Sequence, residues 1–329
     1  MHLRIPKILR GLTTRSLVGQ FVLSLLPKPF TDATSVTIPS CSWARPPPAG
    51  PARRGGGGRS RPTVGRLPFV NSFFPLLSFS MTDLTDTAAI VTGASSGIGA
   101  ATAHMLAAEG AHVALAARRE ERLRELQAEI EADGGTAIVV PTDVTDRAQV
   151  QTLADETRDA FGGIDVLVNN AGIMPLSLMK NLHEDEWEQM VDVNVKGVLH
   201  GVGAVLPTML EQEHGHIVNV SSVAGRRTFP GSAVYSGTKF FVRALSEGMR
   251  NELSPHHNIR VTSIEPGAVD TELPHTITDQ DVLTGLSEGF DGLEMMESED
   301  IAEAIRYALT APERVDVEEL LVMPTDQEE

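Results

Sequence analysis

From Ala88 onward the chain alternates short, unbroken aliphatic runs with longer stretches in which apolar residues return every three to four positions. The short runs are Ala88–Thr92, His112–Ala116, Thr136–Val140, Val166–Asn169, His216–Val220, Arg260–Ile264 and Leu320–Met323. Continuous Val/Ile/Leu runs of this length fit strands buried on both faces. The longer stretches, Ala100–Glu109, Glu120–Ala132, Arg147–Phe161, Glu184–Glu211, Ala233–Leu253 and Ser298–Leu309, read as helices, and Gly110, Gly134 and Gly162 close three of them. This regular alternation predicts an α/β domain with a doubly wound sheet of seven parallel strands. Pro274–Glu297 is polar and less regular, the place for a mobile lid.

Charge divides the chain in two. Residues 1–80 hold eleven of its 27 basic residues and a single acid, Asp32, together with Pro46-Pro47-Pro48 and Gly55 to Gly58. Such a segment cannot build a packed core. Three readings compete for it: upstream DNA translated from a wrong start, an Arg-rich targeting peptide, or a weak membrane-surface anchor. Residues 81–329 are then expected to form the folded domain, beginning at Met81, after which acidic residues appear at once.

That domain carries the other 16 basic residues and 43 of the 44 acids, with Lys180, Lys196 and Lys239 its only lysines. A net charge of −27 repels nucleic acid and anionic membranes. It also fits a protein adapted to high salt, an expectation that activity measured against KCl concentration checks. The only cysteine, Cys41, lies in the leader, so no intrachain disulfide forms and a reducing cytoplasm is the expected compartment. No run of about 18 apolar residues points to a transmembrane helix.

The first strand leads into Thr92-Gly93-Ala94-Ser95-Ser96-Gly97-Ile98-Gly99 and then a helix. Glycines at a first strand-to-helix junction allow a tight turn and close backbone approach, leaving the helix N-terminus to receive a pyrophosphate. The TGxxxGIG spacing resembles the short-chain dehydrogenase/reductase family, and the resemblance runs over residues 86–325. It implies a Rossmann-type fold and a nicotinamide dinucleotide held by Gly93, Ser95, Ser96, Gly97, Ile98 and Gly99.

The end of the second strand meets the adenosine ribose, and an acid there would repel a 2′-phosphate. This chain has Ala116-Ala117-Arg118-Arg119, with alanine where NAD-preferring relatives carry Asp. Arg118, with Arg119 beside it, can offer guanidinium donors to the phosphate, so NADP(H) is the expected cofactor. By resemblance, Asp143-Val144 and Asn169-Asn170-Ala171-Gly172 contact the adenosine half. Pro266-Gly267-Ala268-Val269-Asp270-Thr271 resembles the family's PGxxxT segment, which implies that Pro266, Gly267, Val269 and Thr271 meet the nicotinamide end.

Ser222, Tyr235 and Lys239 stand at the spacing S-x12-Y-x3-K, with Asn194 upstream. Tyr235 and Lys239, four residues apart on a helix, share one face. Hydride transfer to a carbonyl leaves an alkoxide that needs a proton, and a phenol serves both directions only if a nearby cation stabilises its phenolate. These residues supply the acid, the cation and a hydroxyl to polarise the substrate oxygen; the resemblance adds a water-mediated proton relay near Asn194. Tyr235-Ser236-Gly237-Thr238-Lys239 departs from the family's common YxASK between the two reactive side chains, which should alter packing and not the reaction.

The predicted activity is hydride transfer between NADP(H) and a small carbonyl or alcohol. A non-catalytic NADP(H)-binding regulator of the same fold is the alternative, and a sugar-nucleotide epimerase would need a larger C-terminal domain. Met174, Pro175, Leu176, Ala224, Phe229, Pro230 and Pro274 to Ile277 suggest an apolar substrate pocket, in which Arg226 or Arg227 could bind a carboxylate. His256-His257 and His214-x-His216 read as surface or turn residues without metal-ligand partners, and Glu294–Asp300 as a solvated helix start. The resemblance further implies a homotetramer, or a dimer, joined through the helices at Glu184–Glu211 and Ala233–Leu253.

Overall fold

The computed structural model describes residues 82–289 and 292–327, with backbone alone for 286–289. The basic leader and Met81 lie outside these residues. Seven strands form one sheet: β1 (Ala88–Thr92), β2 (His112–Ala117), β3 (Thr136–Pro141), β4 (Val166–Asn169), β5 (Gly215–Val220), β6 (Ile259–Pro266) and β7 (Glu319–Val322). Their order is β3-β2-β1-β4-β5-β6-β7, and every neighbouring pair is parallel.

The unbroken aliphatic runs are explained by where alternate side chains go. On β1, Ala89 and Val91 enter a core with α1 (Gly97–Ala108), α2 (Glu120–Ala132) and α8 (Ser298–Thr310), while Ile90 enters the opposite one. That second core is closed by α3 (Arg147–Phe161), α5 (Gly197–Gln212) and α6 (Ala233–His257). Both faces are covered, so both alternate sets are predominantly apolar. The chain winds outward in both directions from β1 and β4, which opens a crevice at their carboxyl ends.

Three departures from the sequence reading bear on the site. Helix α1 starts at Gly97, three residues before the expected Ala100, because Gly97-Ile98-Gly99 belongs both to the turn and to the helix. The long helix expected over Glu184–Glu211 is α4 (Glu184–Val191), a π-turn at Asp192–Lys196, and α5. By length and composition this continuous rod could cross a bilayer, but half of its apolar stretch is buried inside the fold, as in a core helix. The region expected to be irregular contains a 3-10 turn at Leu273–Thr276 and a helix, α7 (Gln280–Gly289).

This region is tied down by polar contacts. Asp279, just before α7, accepts hydrogen bonds from the Leu178 amide (3.0 Å) and Asn181 Nδ2 (2.8 Å). The Met174 amide donates to Thr276 Oγ1 at 3.1 Å. Glu297 and Asp300 form a reciprocal cap at the start of α8, a specific role for residues read as merely solvated. His216 is likewise not a surface residue: it is buried on β5, with Nε2 2.8 Å from Thr262 Oγ1.

Candidate active site

The turn after β1 and the segment after β4 meet backbone to backbone. Gly93 and Gly97 have φ of 68° and 55°, which L side chains rarely adopt. A Cβ on Gly93 would also stand 2.8 Å from the Ala171 Cα, and one on Gly99 would collide with the Gly93 carbonyl oxygen. Asn170 fastens the junction, its side-chain amide donating to the Thr92 carbonyl at 3.0 Å and its backbone amide to Thr92 Oγ1 at 3.0 Å. Asn169 points elsewhere, into a buried hydrogen bond with Asn219 (2.9 Å), and does not join the site as the sequence reading expected.

Between these elements runs a cavity of about 750 Å³. One end is bounded by Arg118, Arg119, Asp143 and Val144; the middle by Ser95, Ser96, Gly97, Ile98, Ala171 and Gly172; the far end by Ser222, Tyr235, Lys239 and the Pro266–Thr271 segment. Each expected cofactor contact lines it except Asn169 and Gly99, and the part of Gly99 is to let α1 approach the turn.

The cavity fits a dinucleotide phosphate group in its donor chemistry. Ser96 occupies the N-cap of α1 without bonding the helix's first amides, so these N–H groups have no side-chain cap. Two serine hydroxyls and two arginines surround the same turn. At the other end, a Cβ on Gly172 would come 3.4 Å from Asn194 Oδ1 and 3.7 Å from Lys239 Nζ, so the small residue preserves space above the lysine.

The two arginines behave differently. Arg118 is exposed on the wall of the cavity and has no hydrogen bond or ion pair among the described residues. Arg119 donates to Ser95 Oγ (3.0 Å) and Ser96 Oγ (2.7 Å) and pairs with Glu272 at 2.8 Å. Glu272 was not singled out in the sequence; hydrogen bonds from Arg119 and then Ser96 hold its carboxyl below the usual carboxylate range.

Three of the four expected catalytic side chains, Ser222, Tyr235 and Lys239, converge on the cavity wall. Tyr235 and Lys239 lie in the first turns of α6, buried, with the ammonium 5.8 Å from the centre of the phenol ring. Lys239 Nζ donates to the Val220 carbonyl at 2.8 Å. Ser222 follows β5, and its Oγ accepts from the Ala224 amide at 3.0 Å. Asn194 does not face the cavity; the π-turn directs its side chain to Ile173, accepting from the amide (2.9 Å) and donating to the carbonyl (2.9 Å).

Burial dominates the electrostatics. It pushes the Tyr235 phenol up to about 12, against a smaller opposing pull from its hydrogen bond with Ser222. It draws the Lys239 ammonium down to about 8. Each group is thereby held toward its neutral form, which is the state a proton donor needs and an unusual one for lysine.

Several supporting residues escaped the sequence reading. Thr238 Oγ1 donates to the Tyr235 carbonyl (2.7 Å) and accepts from Asn194 (3.2 Å), so a position that departs from YxASK links two of the four. A Cβ on Gly225 would come 2.9 Å from the Lys239 carbonyl, which is why the turn after Ser222 can lie against α6. Gln327 accepts from the Ala268 amide at 2.9 Å and lines the cavity. Arg226 is engaged by Glu265 and Glu319, and neither it nor Arg227 lines the cavity. Of the expected pocket residues Met174, Leu176, Ala224, Phe229, Pro274, Thr276 and Ile277 do line it, whereas Pro175, Pro230 and His275 do not.

A short chain dehydrogenase family profile matches residues 87–282, spanning both the glycine turn and the Tyr235–Lys239 pair. The chain belongs to the short-chain dehydrogenase family. It is 46% identical over 248 residues to an uncharacterized oxidoreductase of Staphylococcus saprophyticus, covering 75% of this chain and 99% of that one. Among solved structures it resembles a closed form of serine dehydrogenase complexed with NADP+, with a TM-score of 0.67 and 34% identity over 73% of this chain and 96% of the other. It also resembles an alcohol dehydrogenase of Thermococcus sibiricus complexed with 5-hydroxy-NADP, with a TM-score of 0.66 and 30% identity over 74% and 98%. This short-chain dehydrogenase family member is an oxidoreductase.

Proposed function

We propose that the protein is an NADP(H)-dependent carbonyl reductase, or alcohol dehydrogenase in the reverse direction, with Tyr235 as its general acid and base. The observation that carries this reading is the buried Tyr235–Lys239 pair on the wall of the cavity that begins at the glycine turn. The cofactor, when bound, supplies or accepts the hydride. Ser95, Ser96, the amides at the start of α1 and Arg119 would hold its phosphates, with Arg118 at the 2′-phosphate. The serine dehydrogenase and the archaeal alcohol dehydrogenase, both bound to NADP-type cofactors, support that preference.

In the reducing direction Tyr235 Oη gives its proton to the carbonyl oxygen as that oxygen becomes an alkoxide. Ser222 donates a hydrogen bond to the same oxygen and holds it against the phenol. A neutral phenol is what burial favours. The phenolate left behind is stabilised by the ammonium of Lys239, one helical turn away. Asn194 positions this group through Thr238, whose hydroxyl is bonded to the Tyr235 carbonyl.

Assembly into a homotetramer or dimer through α5 and α6 belongs to the same proposal. Leu199 and Phe240 leave large apolar side chains exposed on those helices. Sedimentation equilibrium tests it, and a monomer would exclude it.

The decisive experiment follows NADPH oxidation against a panel of aldehydes and ketones, with Tyr235→Phe beside the native protein. Native turnover, lost in Tyr235→Phe while NADPH still binds, is the expected result. NADPH binding without turnover of any carbonyl would leave the protein a binding regulator.

A further inference from the structure

Among the described residues, charge in the cavity is concentrated at one end, and Lys239 is the single charged side chain at the other. Its charged lining is Arg118, Arg119, Asp143 and Glu272 around the glycine turn and the second and third strands, and Lys239 beneath Tyr235. Beyond Tyr235 the wall consists of Met174, Leu176, Ala224, Phe229, Ile277 and Leu283. All of these but Phe229 pack in one apolar cluster with the Tyr235 ring.

The polar groups that do reach this end have other commitments. Thr276 Oγ1 accepts from the Met174 amide and donates to the Leu273 carbonyl at 2.8 Å. Arg226, the nearest sequence candidate for a carboxylate, is engaged by Glu265, which is fully buried, and by Glu319. Lys239 sits below the phenol with its ammonium on the Val220 carbonyl. Ser222 Oγ also lies 3.4 Å from the Pro266 carbonyl, and its hydroxyl and that of Tyr235, hydrogen-bonded to each other, are the groups on this wall that remain to meet a substrate.

Resting on the proposed reductase reading, we infer that the substrate is an uncharged carbonyl compound with apolar groups on either side of the reacting carbon, and that oxo acids and hydroxy acids are excluded. A carboxylate placed among Met174, Leu176, Ile277 and Leu283 would lose its hydration and gain no cation or hydrogen-bond donor from these side chains. The penalty falls on both the ground and the transition state, so specificity shows in kcat/KM. The reaction balances as two electrons and one proton in hydride form to the carbonyl carbon, plus one proton from Tyr235 to the oxygen.

A matched pair tests this: ethyl acetoacetate and acetoacetate present the same ketone with and without a negative charge. At saturating NADPH the ester should exceed the acid by about 100-fold or more in kcat/KM. A smaller ratio overturns the inference. As a readout independent of turnover, Tyr235→Phe protein with NADPH should show a raised Tm with the ester and no change with the acid. An equal rise with both, or with the acid alone, overturns it too, as does no rise with either. Native protein that binds NADPH but reduces neither compound, nor any other carbonyl, instead overturns the reductase reading, and the Tm comparison still reports the charge preference of the cavity.

Discussion

Arg119 Nη1 and Glu272 Oε2 stand 2.8 Å apart, joining the end of β2 to the segment after β6 beside the glycine turn. Ser96 completes the contact, accepting from Arg119 at 2.7 Å. A carboxylate thus occupies the surroundings of the very hydroxyl and guanidinium assigned to the cofactor phosphates. Both partners are about half exposed, so the pair itself contributes little to stability, roughly 1 kcal/mol at most. Its larger effect is on an incoming anion. Glu272→Gln should tighten NADPH binding by about 3- to 10-fold, because a like charge near the phosphates is removed. Fluorescence titration measures this; an unchanged or weaker Kd would show that the carboxylate does not compete.

The unequal settings of the two arginines give them separable roles. Arg118 has no partner among the described residues, so its donors are available to a 2′-phosphate. Arg119 instead holds Ser95 and Ser96 in place for any dinucleotide. Arg118→Asp should lower the NADPH/NADH ratio of kcat/KM by about 100-fold, since a charge-assisted contact is lost and a repulsion gained. Arg119→Ala should depress both cofactors together, changing the ratio by less than about tenfold. The opposite pattern would exchange the assignments.

Gly237 lies between the reactive side chains in sequence but outside them in space. It is exposed on α6, and a Cβ added there meets nothing within 4 Å. Glycine in a helix interior costs about 1 kcal/mol relative to alanine. Gly237→Ala should therefore raise stability by about 0.5–1 kcal/mol and leave kcat unchanged. Urea denaturation tests the first statement and steady-state kinetics the second; a loss of activity would mean that this face takes part in the site.

The strands were legible because burial on both faces writes itself into the sequence as unbroken apolar runs; β1 and β4 fall on Ala88–Thr92 and Val166–Asn169 without adjustment. The glycine turn and the Ser222, Tyr235 and Lys239 spacing were legible because each chemical demand fixes a residue type at a short range. What escaped is non-local or subtle. Glu272 reaches Arg119 across the fold, and nothing in its neighbourhood in sequence marks that meeting. The π-turn at Asp192–Lys196 leaves helical periodicity almost intact, yet it alone turns Asn194 onto Ile173. Arg226 looked available for a carboxylate because its partners, Glu265 and Glu319, lie on β6 and β7.

Lys239 carries a stability cost that its function requires. It is buried, its ammonium bonds a single carbonyl, and burial is the cause that draws its pKa from 10.5 to about 8. The unfolded chain keeps this proton up to about pH 10.5, whereas the fold releases it near 8. Between those values the unfolded state binds more protons, so the stability of the native protein rises with pH through that window, and below pH 8 the full penalty is present. Lys239→Met keeps the length and apolar stem of the side chain and removes the charge. The variant should lose turnover yet be more stable than the native protein at pH 7, by on the order of 1–3 kcal/mol. The gap should close as pH rises from about 8 toward 10. Thermal unfolding of both proteins across this range measures it. A methionine variant less stable at pH 7 would mean that the ammonium gains more from Val220 and its surroundings than it loses by leaving water.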